Sequence, residues 1–479
     1  MSRRPVRALT LAVSVAWAEL RHDPLRPALL AVRLLPTPVR RALRRLEIRL
    51  TARARPSGPS DEPSPARVPA PPGRPILPVP GRVLHLVTHG LPYRQAGHTL
   101  RTQALTRAQS AAGLDPHVVT RIGFPAAQGV FDARPLQLLG GVPQHRLLPR
   151  WLPYGSGAVL ARNAELAARL VERLRPSVLH AAGDHGNGRV ALALRETYGL
   201  PVVYEVRGFP EESWSAQAHG RSRSDGTYRV RREWETYCMR ESDAVLTLGE
   251  AMKAEIVSRG VPEERVRVVP HAVDPLFLEP LPDGGAVRTR LGIGPEEYVV
   301  GTVSGFTRHE AIATLLESGA ELRRRGVPVR LLLVGDGPER TALEYLAGRL
   351  GLRDGTALFT GRVPQEQVRD CHAVLDVFAV PRTDRLVTPL EPAEAMASGL
   401  PVVASDVPAM RDLVESGVNG RLIPPESSLV WADTLEMLFS SQKTRRTWGA
   451  AAQALVARER TWARVAAATR DTYHALGCL

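Results

Sequence analysis

The sequence predicts an α/β protein made of two doubly wound parallel sheets in tandem. Three observations carry this. Short apolar runs recur from residue 82 onward, and helix-compatible stretches separate most of them. One turn-rich segment, from His271 to Gly285, interrupts the rhythm, which then restarts. Apolar runs joined by helices are parallel strands covered on both faces.

The first half begins with an apolar run at 83–87, bounded by Gly81 and Gly90. A helix-compatible stretch, 100–112, stops at Gly113, and a strand follows at 118–120. Further strands are expected at 178–180, 202–206, 244–247 and 266–269. The second half repeats the pattern at 298–303, 329–335, 357–360, 374–380 and 401–404. This places an N-terminal domain at 82–280, a C-terminal domain at 281–460 and a closing helix within 461–479. Two such sheets in tandem are expected to leave a cleft between them, and ligands bind outside the carboxyl ends of parallel strands.

Before residue 82 the composition differs. The chain of 479 residues carries a net charge of +14, and 13 arginines against 3 acids in residues 1–56 supply most of the excess. Leu43, Leu46 and Leu50 recur at helical spacing among arginines, so 1–55 reads as a basic amphipathic extension suited to an anionic membrane face. Packing of those leucines on the protein itself is the alternative. Arg3, Arg4 and Arg7 before the apolar 8–18 stretch also fit a secretory signal peptide. Residues 56–81, rich in Pro, Ser, Gly and Ala, read as an extended linker, with folded structure starting near Arg82. Three widely spaced cysteines give no disulfide framework or cysteine zinc site, and a reducing compartment fits them.

Two segments carry chemistry. Val334-Gly335-Asp336-Gly337-Pro338-Glu339 follows a strand, and its glycines permit a tight turn with close backbone approach to a ligand. A simple strand-to-helix turn is the bland alternative. In 385–405 the order is loop, a helix starting near Pro389, a Gly399 stop and a buried strand. A helix start suits a phosphate. Glu394 lies about one turn in, where a carboxylate accepts hydrogen bonds from a ribose diol. A solvated helix glutamate is the alternative.

Together these segments resemble the retaining glycosyltransferases of family four, which have the two-domain GT-B fold. The resemblance runs from about Arg82 to about Ala475. It rests on VGDGPE at 334–339, on Phe359-Thr360-Gly361-Arg362-Val363, on EAMASGLPVVAS at 394–405 and on Gly417-Val418-Asn419-Gly420. Val269-Pro270-His271-Ala272-Val273-Asp274 is similar to the family's domain-crossing turn. Gly97-His98-Thr99-Leu100-Arg101-Thr102, Val202 through Phe209, and LVTPL at 386–390 resemble the branch found in bacterial surface-polysaccharide and exopolysaccharide clusters.

The resemblance implies transfer of a sugar from a nucleotide-diphosphate-sugar donor to an acceptor hydroxyl, with retention. It implies that Glu394 holds the ribose and that backbone at Thr388, Pro389 and Leu390 cradles the diphosphate. Ser304, Gly305, Gly335 and Arg308 belong to the same donor site, and Arg362 and Val363 flank the base. From the N-terminal domain, Gly97 and His98 approach the donor, and Arg207 neutralises leaving-group charge. No metal or resident cofactor is implied, and no DxD segment is present. The acceptor would be a glycan or lipid-linked sugar, with the protein cytoplasmic or peripheral on the inner membrane face.

The chain departs from the family pattern at several positions. Leu386 stands where many members have a first glutamate, Arg385 where branch members carry an acid, and Glu391 where they carry a lysine. Arg308 is the one cation in its segment besides His309. A catalytically impaired partner or scaffold protein is therefore the second reading. A sugar-nucleotide epimerase, which shares the GT-B layout, lacks support because the sequence shows no added acid/base pair. A nucleotide-binding dehydrogenase is disfavoured, because the first strand leads into His89-Gly90-Leu91-Pro92-Tyr93 and not into a GxGxxG turn. His180, Asp184, His185 and Asn187 read as an acceptor-side cluster, or as satisfied loop residues. His89 and His98 have no further ligand at metal spacing. Arg221, Arg223, Arg229, Arg231 and Arg232 have few aromatics among them, which argues against nucleic acid.

Overall fold

The computed structural model describes residues 67–130, 132–153, 155–212 and 225–479. The extension 1–55 with its membrane and signal-peptide readings, the stretch 56–66, Arg221 and Arg223 lie outside the described residues. The chain divides into two compact units. The first runs to Leu246 and takes in Arg259–Arg267 and Thr469–Leu479; the second is Thr247–Ser258 with Val268–Ala468.

In chain order the first part contains β1 (Arg82–Val87), α1 (Gly97–Ala111), β2 (Asp115–Thr120), β3 (Leu136–Leu139), β4 (Val142–Arg146) and α2 (Ser156–Leu174). It continues with β5 (Val178–Ala182), α3 (His185–Tyr198), β6 (Val202–Val206), α4 (Gly226–Glu241), β7 (Ala244–Thr247), α5 (Glu250–Ser258) and β8 (Val266–Val268). The sheet order is β3-β4-β2-β1-β5-β6-β7-β8. β1 pairs in parallel with β2 and β5, β2 with β4, and β5 with β6, whereas β3 pairs antiparallel with β4.

The second part contains α6 (Gly285–Leu291), β9 (Tyr298–Gly305), α7 (Ile312–Arg324), β10 (Val329–Asp336), α8 (Arg340–Arg349), β11 (Ala357–Gly361) and α9 (Val368–His372). Then come β12 (Val377–Val380), α10 (Glu391–Ala397), β13 (Val402–Ser405), α11 (Pro408–Arg411), β14 (Gly420–Ile423), α12 (Ser428–Ser440), α13 (Gln442–Glu459) and α14 (Trp462–Ala475). Its sheet is wholly parallel, in the order β11-β10-β9-β12-β13-β14.

The apolar runs are continuous because both sheet faces are covered. Val299, Leu332, Val334, Phe378, Val380, Val402 and Ala404 enter one core cluster. Their neighbours Val300, Leu331, Leu333, Val377, Ala379 and Val403 enter the other. That is the two-residue alternation of strand side chains, with no solvated face.

Several boundaries differ from the sequence reading. Residues 67–81 are extended, as a Pro-rich segment should be, but folded structure precedes Arg82. The Pro71 carbonyl accepts from Thr197 Oγ1 at 2.8 Å, and the Val79 amide donates to the Arg175 carbonyl at 2.7 Å. Proline removes a donor but leaves the carbonyl free to accept, so the strip can dock on helices. Residues 247–258 and 268–280 belong with the second unit. There Asp412 Oδ2 accepts from the Glu250 amide at 2.7 Å, at the start of α5. The last helix does not stand alone: its residues from Thr469 on join the first unit, where Gln109 Nε2 donates to Thr469 Oγ1 and Tyr473 Oη. The β3–β4 hairpin has no counterpart in the sequence reading, and β12 begins at Val377 because Val374 and Leu375 close the turn after α9.

The GDG turn has a structural role within the second unit. Gly335 has φ +139°, and a Cβ there would lie 1.9 Å from the Ser304 carbonyl oxygen. The close approach is therefore between the ends of β10 and β9. Gly335→Ala is expected to destabilise the second unit by about 2–4 kcal/mol through strain and overlap; urea unfolding monitored by circular dichroism measures the loss.

Candidate functional site

In an open parallel sheet the crevice for a ligand opens where strand order reverses, at the carboxyl ends of the two central strands. In the second unit those strands are β9 and β12. β9 ends in Ser304 and Gly305, followed by a turn of 3₁₀ helix at Arg308–Glu310. β12 is followed by the 381–390 loop and α10.

Ser304 Oγ is enclosed and has no hydrogen-bond partner among the described residues. Gly305 is exposed, and a Cβ there would meet nothing within 4 Å. Arg308 and Arg362 are exposed, and Val363 is half-buried against the core. The sequence places a helix start near Pro389; the helix instead begins at Glu391, after Leu390. Pro389 lies in the loop, where Asp384 has already turned the chain by accepting from the Leu386 and Val387 amides at 3.0 and 3.4 Å. Thr388 is buried, with Oγ1 donating to the Ala409 carbonyl at 3.0 Å. The main-chain N–H groups of Thr388, Leu390 and Glu391 have no hydrogen-bond partner among the described residues.

Glu394 is not a solvated helix glutamate. It is 7% exposed, and its carboxylate has no hydrogen-bond partner among the described residues. Burial pushes its carboxyl up to about 8, and the nearby Glu391 and Asp274 add to the rise. A buried acid left without donors suits a ligand that brings hydroxyl groups. Arg385 is exposed, and Leu386 supplies only an amide to the turn.

In the first unit strand order reverses between β1 and β5. Beyond β1, Thr88 Oγ1 accepts from Asn187 Nδ2 at 2.9 Å. Beyond β5, Asp184 opens α3 by accepting from the Gly186 amide at 2.8 Å, and it pairs with Arg121. Burial opposes ionisation of Asp184, but Arg121 holds its carboxyl below the ordinary value. Of the four residues read as one cluster, Asp184 and Asn187 are brought together. His185 turns to Trp234, ring centroids 4.6 Å apart. His180 is fully buried, with Nδ1 2.6 Å from Tyr473 Oη. His89 and His98 stand 5.9 Å apart between ring centroids. Among the described residues no group of three or more His, Cys, Asp or Glu side chains is placed to hold a metal ion.

Gly97 opens α1, and a Cβ there would meet nothing within 4 Å. His98 is exposed, and its carbonyl accepts from Arg207 Nη1 at 2.8 Å. Arg207 also donates through Nη1 to Thr102 Oγ1 at 2.8 Å, and through Nε and Nη2 to Glu205 Oε2 at 2.9 and 2.5 Å. A guanidinium has five N–H donors, so one remains for a ligand. Behind it lies a buried assembly that sequence reasoning missed. Glu205, 1% exposed, also binds Arg101 Nε at 2.8 Å. Burial alone would raise the Glu205 carboxyl, yet Arg207 and Arg101 hold it well below the carboxylate range. The period-two pattern of β6 marks Glu205 as a strand residue, and Arg207 is two positions away, but Arg101 and His180 reach it from distant parts of the chain.

Known proteins supply independent observations. Residues 96–276 match the model of Glycosyltransferase Family 4, and residues 286–455 match that of Glycosyl transferases group 1. A D-inositol 3-phosphate glycosyltransferase of Nocardia farcinica is 28% identical over 424 residues, covering 83% of this chain and 90% of that protein. Sucrose-phosphate synthase from Thermosynechococcus elongatus superposes with a TM-score of 0.67 at 21% identity, covering 82% of this chain and 99% of that one. Anabaena HepE, solved in complex with UDP, gives 0.65 at 19% identity, covering 82% and 100%. The two Rossmann-like sheets, their strand order and these matches identify the chain as a GT-B-fold glycosyltransferase related to family 4 in residues 96–276 and to the group 1 glycosyl transferases in residues 286–455.

Proposed function

We propose that this protein is a retaining glycosyltransferase that moves a sugar from a nucleotide-diphosphate-sugar to an acceptor hydroxyl in the synthesis of a cell-surface or exopolysaccharide glycan. The observation that carries the reading is Glu394: a buried carboxyl without partners among the described residues, just past a loop whose Thr388 and Leu390 amides are also without partners there. Glu394 holds the ribose hydroxyls. The Thr388 and Leu390 amides, with Pro389 shaping the loop between them, receive the diphosphate. Ser304, Gly305 and Arg308 approach it from the β9 side, with Gly335 packing that turn in place. Arg362 and Val363 flank the base.

From the first unit, Gly97 leaves room at the start of α1, and His98 faces solvent there. Arg207 offers its one uncommitted N–H to leaving-group charge and holds the first turn of α1 through the His98 carbonyl. In a retaining transfer the donor phosphate leaves on the face the acceptor attacks, and a phosphate oxygen takes the acceptor proton. The protein then supplies position and charge stabilisation. Neither a metal nor a resident cofactor enters this scheme. The acceptor is a glycan or lipid-linked sugar at the cytoplasmic face of the membrane, to which residues 1–55 bring the protein. Leu386 at the usual acid position and the heavy commitment of Arg207 favour a second reading, an impaired partner protein. Slow release of nucleoside diphosphate from the donor without acceptor separates the two.

A thermal-shift screen of UDP-, GDP-, ADP- and dTDP-sugars should find one that raises Tm, because a ligand of the folded state stabilises it by mass action. Glu394→Ala is expected to remove that shift, at a loss of about 2–4 kcal/mol for two charge-assisted hydrogen bonds. An unchanged shift would take Glu394 out of the site.

Glu394 also predicts a pH dependence. Its folded-state value, about 8, lies above the ordinary 4.5, so its protonation stabilises the fold fully below 4.5, and that contribution is lost as pH rises through about 8. Burial lifts Glu235 to about 8 as well, so the informative quantity is the difference between wild type and Glu394→Gln. The variant should lose less Tm between pH 6 and 9. Ribose hydroxyls favour the ionised carboxylate, so nucleotide-sugar affinity in the wild type should rise from pH 6 to 8 and stay flat in Glu394→Gln; calorimetric titration across that range checks both.

A further inference from the structure

The reversal between β9 and β12 is bridged by charges that the scheme above does not use. Arg382, two residues beyond β12, sits with its side chain 13% exposed. Its Nη1 lies 3.2 Å from Glu310 Oε1, on the turn after β9, and its Nη2 donates to Asp384 Oδ2 at 2.8 Å. Asp384 Oδ1 in turn accepts the Leu386 and Val387 amides. The Thr383 amide adds a main-chain tie to the His309 carbonyl at 2.8 Å. The 384–390 loop is thus fixed to the β9 turn at one end. At the other, the Arg385 carbonyl and Thr388 Oγ1 bind the Ala409 backbone.

Fold stability is a poor reason for this arrangement. Buried ion pairs are often replaceable by apolar packing without loss. Arg382 Nε is enclosed and has no hydrogen-bond partner among the described residues, which is a further cost. What the charges do supply is register between two loops. Both oxygens of Asp384 are engaged in setting that register, so it does not replace the missing acid at position 386. Burial opposes charge on Asp384, while Arg382 and the two amides hold its carboxyl below the ordinary value.

We propose that Arg382, gripped by Glu310 and Asp384, is a positioning residue that locks the 384–390 loop to the 304–310 turn, so that the Thr388 and Leu390 amides and the Ser304 hydroxyl serve one nucleoside diphosphate. This rests on the donor-site reading given above. Arg382 itself does not touch the donor; it acts through Asp384 and Glu310.

The test uses the full-length chain, with UDP, GDP, ADP and dTDP titrated by calorimetry, and hydrogen exchange followed at the Leu386 and Val387 amides. Arg382→Gln is expected to raise the dissociation constant of the best nucleotide by about 10- to 100-fold, the scale of a misplaced binding group. Exchange at the two amides should quicken while β9 and β12 stay protected, and Arg382→Lys should recover part of the affinity. If Arg382→Gln does not fold, Glu310→Gln and Asp384→Asn carry the same expectation at smaller size. Wild-type affinity in the folded variants, or lost affinity with unchanged exchange at 386 and 387, overturns the proposal. If wild type binds a nucleotide and Glu394→Ala abolishes it while Arg382→Gln does not, this inference alone falls. If wild type binds none of the four, the donor-site reading falls and takes this one with it.

Discussion

Each unit is organised by the same constraint: parallel strands cannot be joined by short turns, so, apart from the β3–β4 hairpin, the strands are linked by crossovers. Where successive crossovers change direction, two neighbouring strands end with no helix closing the space between them. β9 with β12 and β1 with β5 are those pairs. Both faces of the second sheet are filled with aliphatic side chains, so polar groups collect at the strand ends. Thr88, Asp184 and Asn187 mark one reversal; Ser304, Glu310, Arg382 and Asp384 mark the other.

The protein treats its buried acids in opposite ways. Glu205 sits among Arg101, Arg207 and His180, and is held ionised by them. It fixes the guanidinium that holds the first turn of α1. Glu394 has no such partners and is held neutral by burial. One is a finished interaction and the other an unfinished one. An acid whose hydrogen-bonding capacity the fold leaves unused is the kind of group a ligand completes.

The loop that precedes α10 shows how a short motif depends on residues outside it. α10 has seven residues, and Pro392 to Ala397 are all buried, so the helix packs as part of the core. Its position near the β9 turn is settled by Asp384 and Thr388, which commit their side chains to backbone groups. Gly335 makes the same region compact from the other side, since only a residue without Cβ lets β10 approach the Ser304 carbonyl.

The sequence by itself determined the α/β class, the two sheets and most strand positions, because apolar runs buried on both faces leave a local record that needs no partner to read. It also singled out Glu394 as a candidate, through its place after LVTPL and within a glycine-stopped helix. Other features were decided only by tertiary structure. These were the helix start at Glu391, the docking of residues 67–81, the return of Thr469 and Tyr473 to the first unit, and the grouping of Arg101, Glu205, Arg207 and His180. Arg382 and Glu310, 72 positions apart in the chain, belong to the same class. The physical reason is that charge pairing and hydrogen bonding across a reversal join residues with no periodic relation in sequence, so no local pattern announces them.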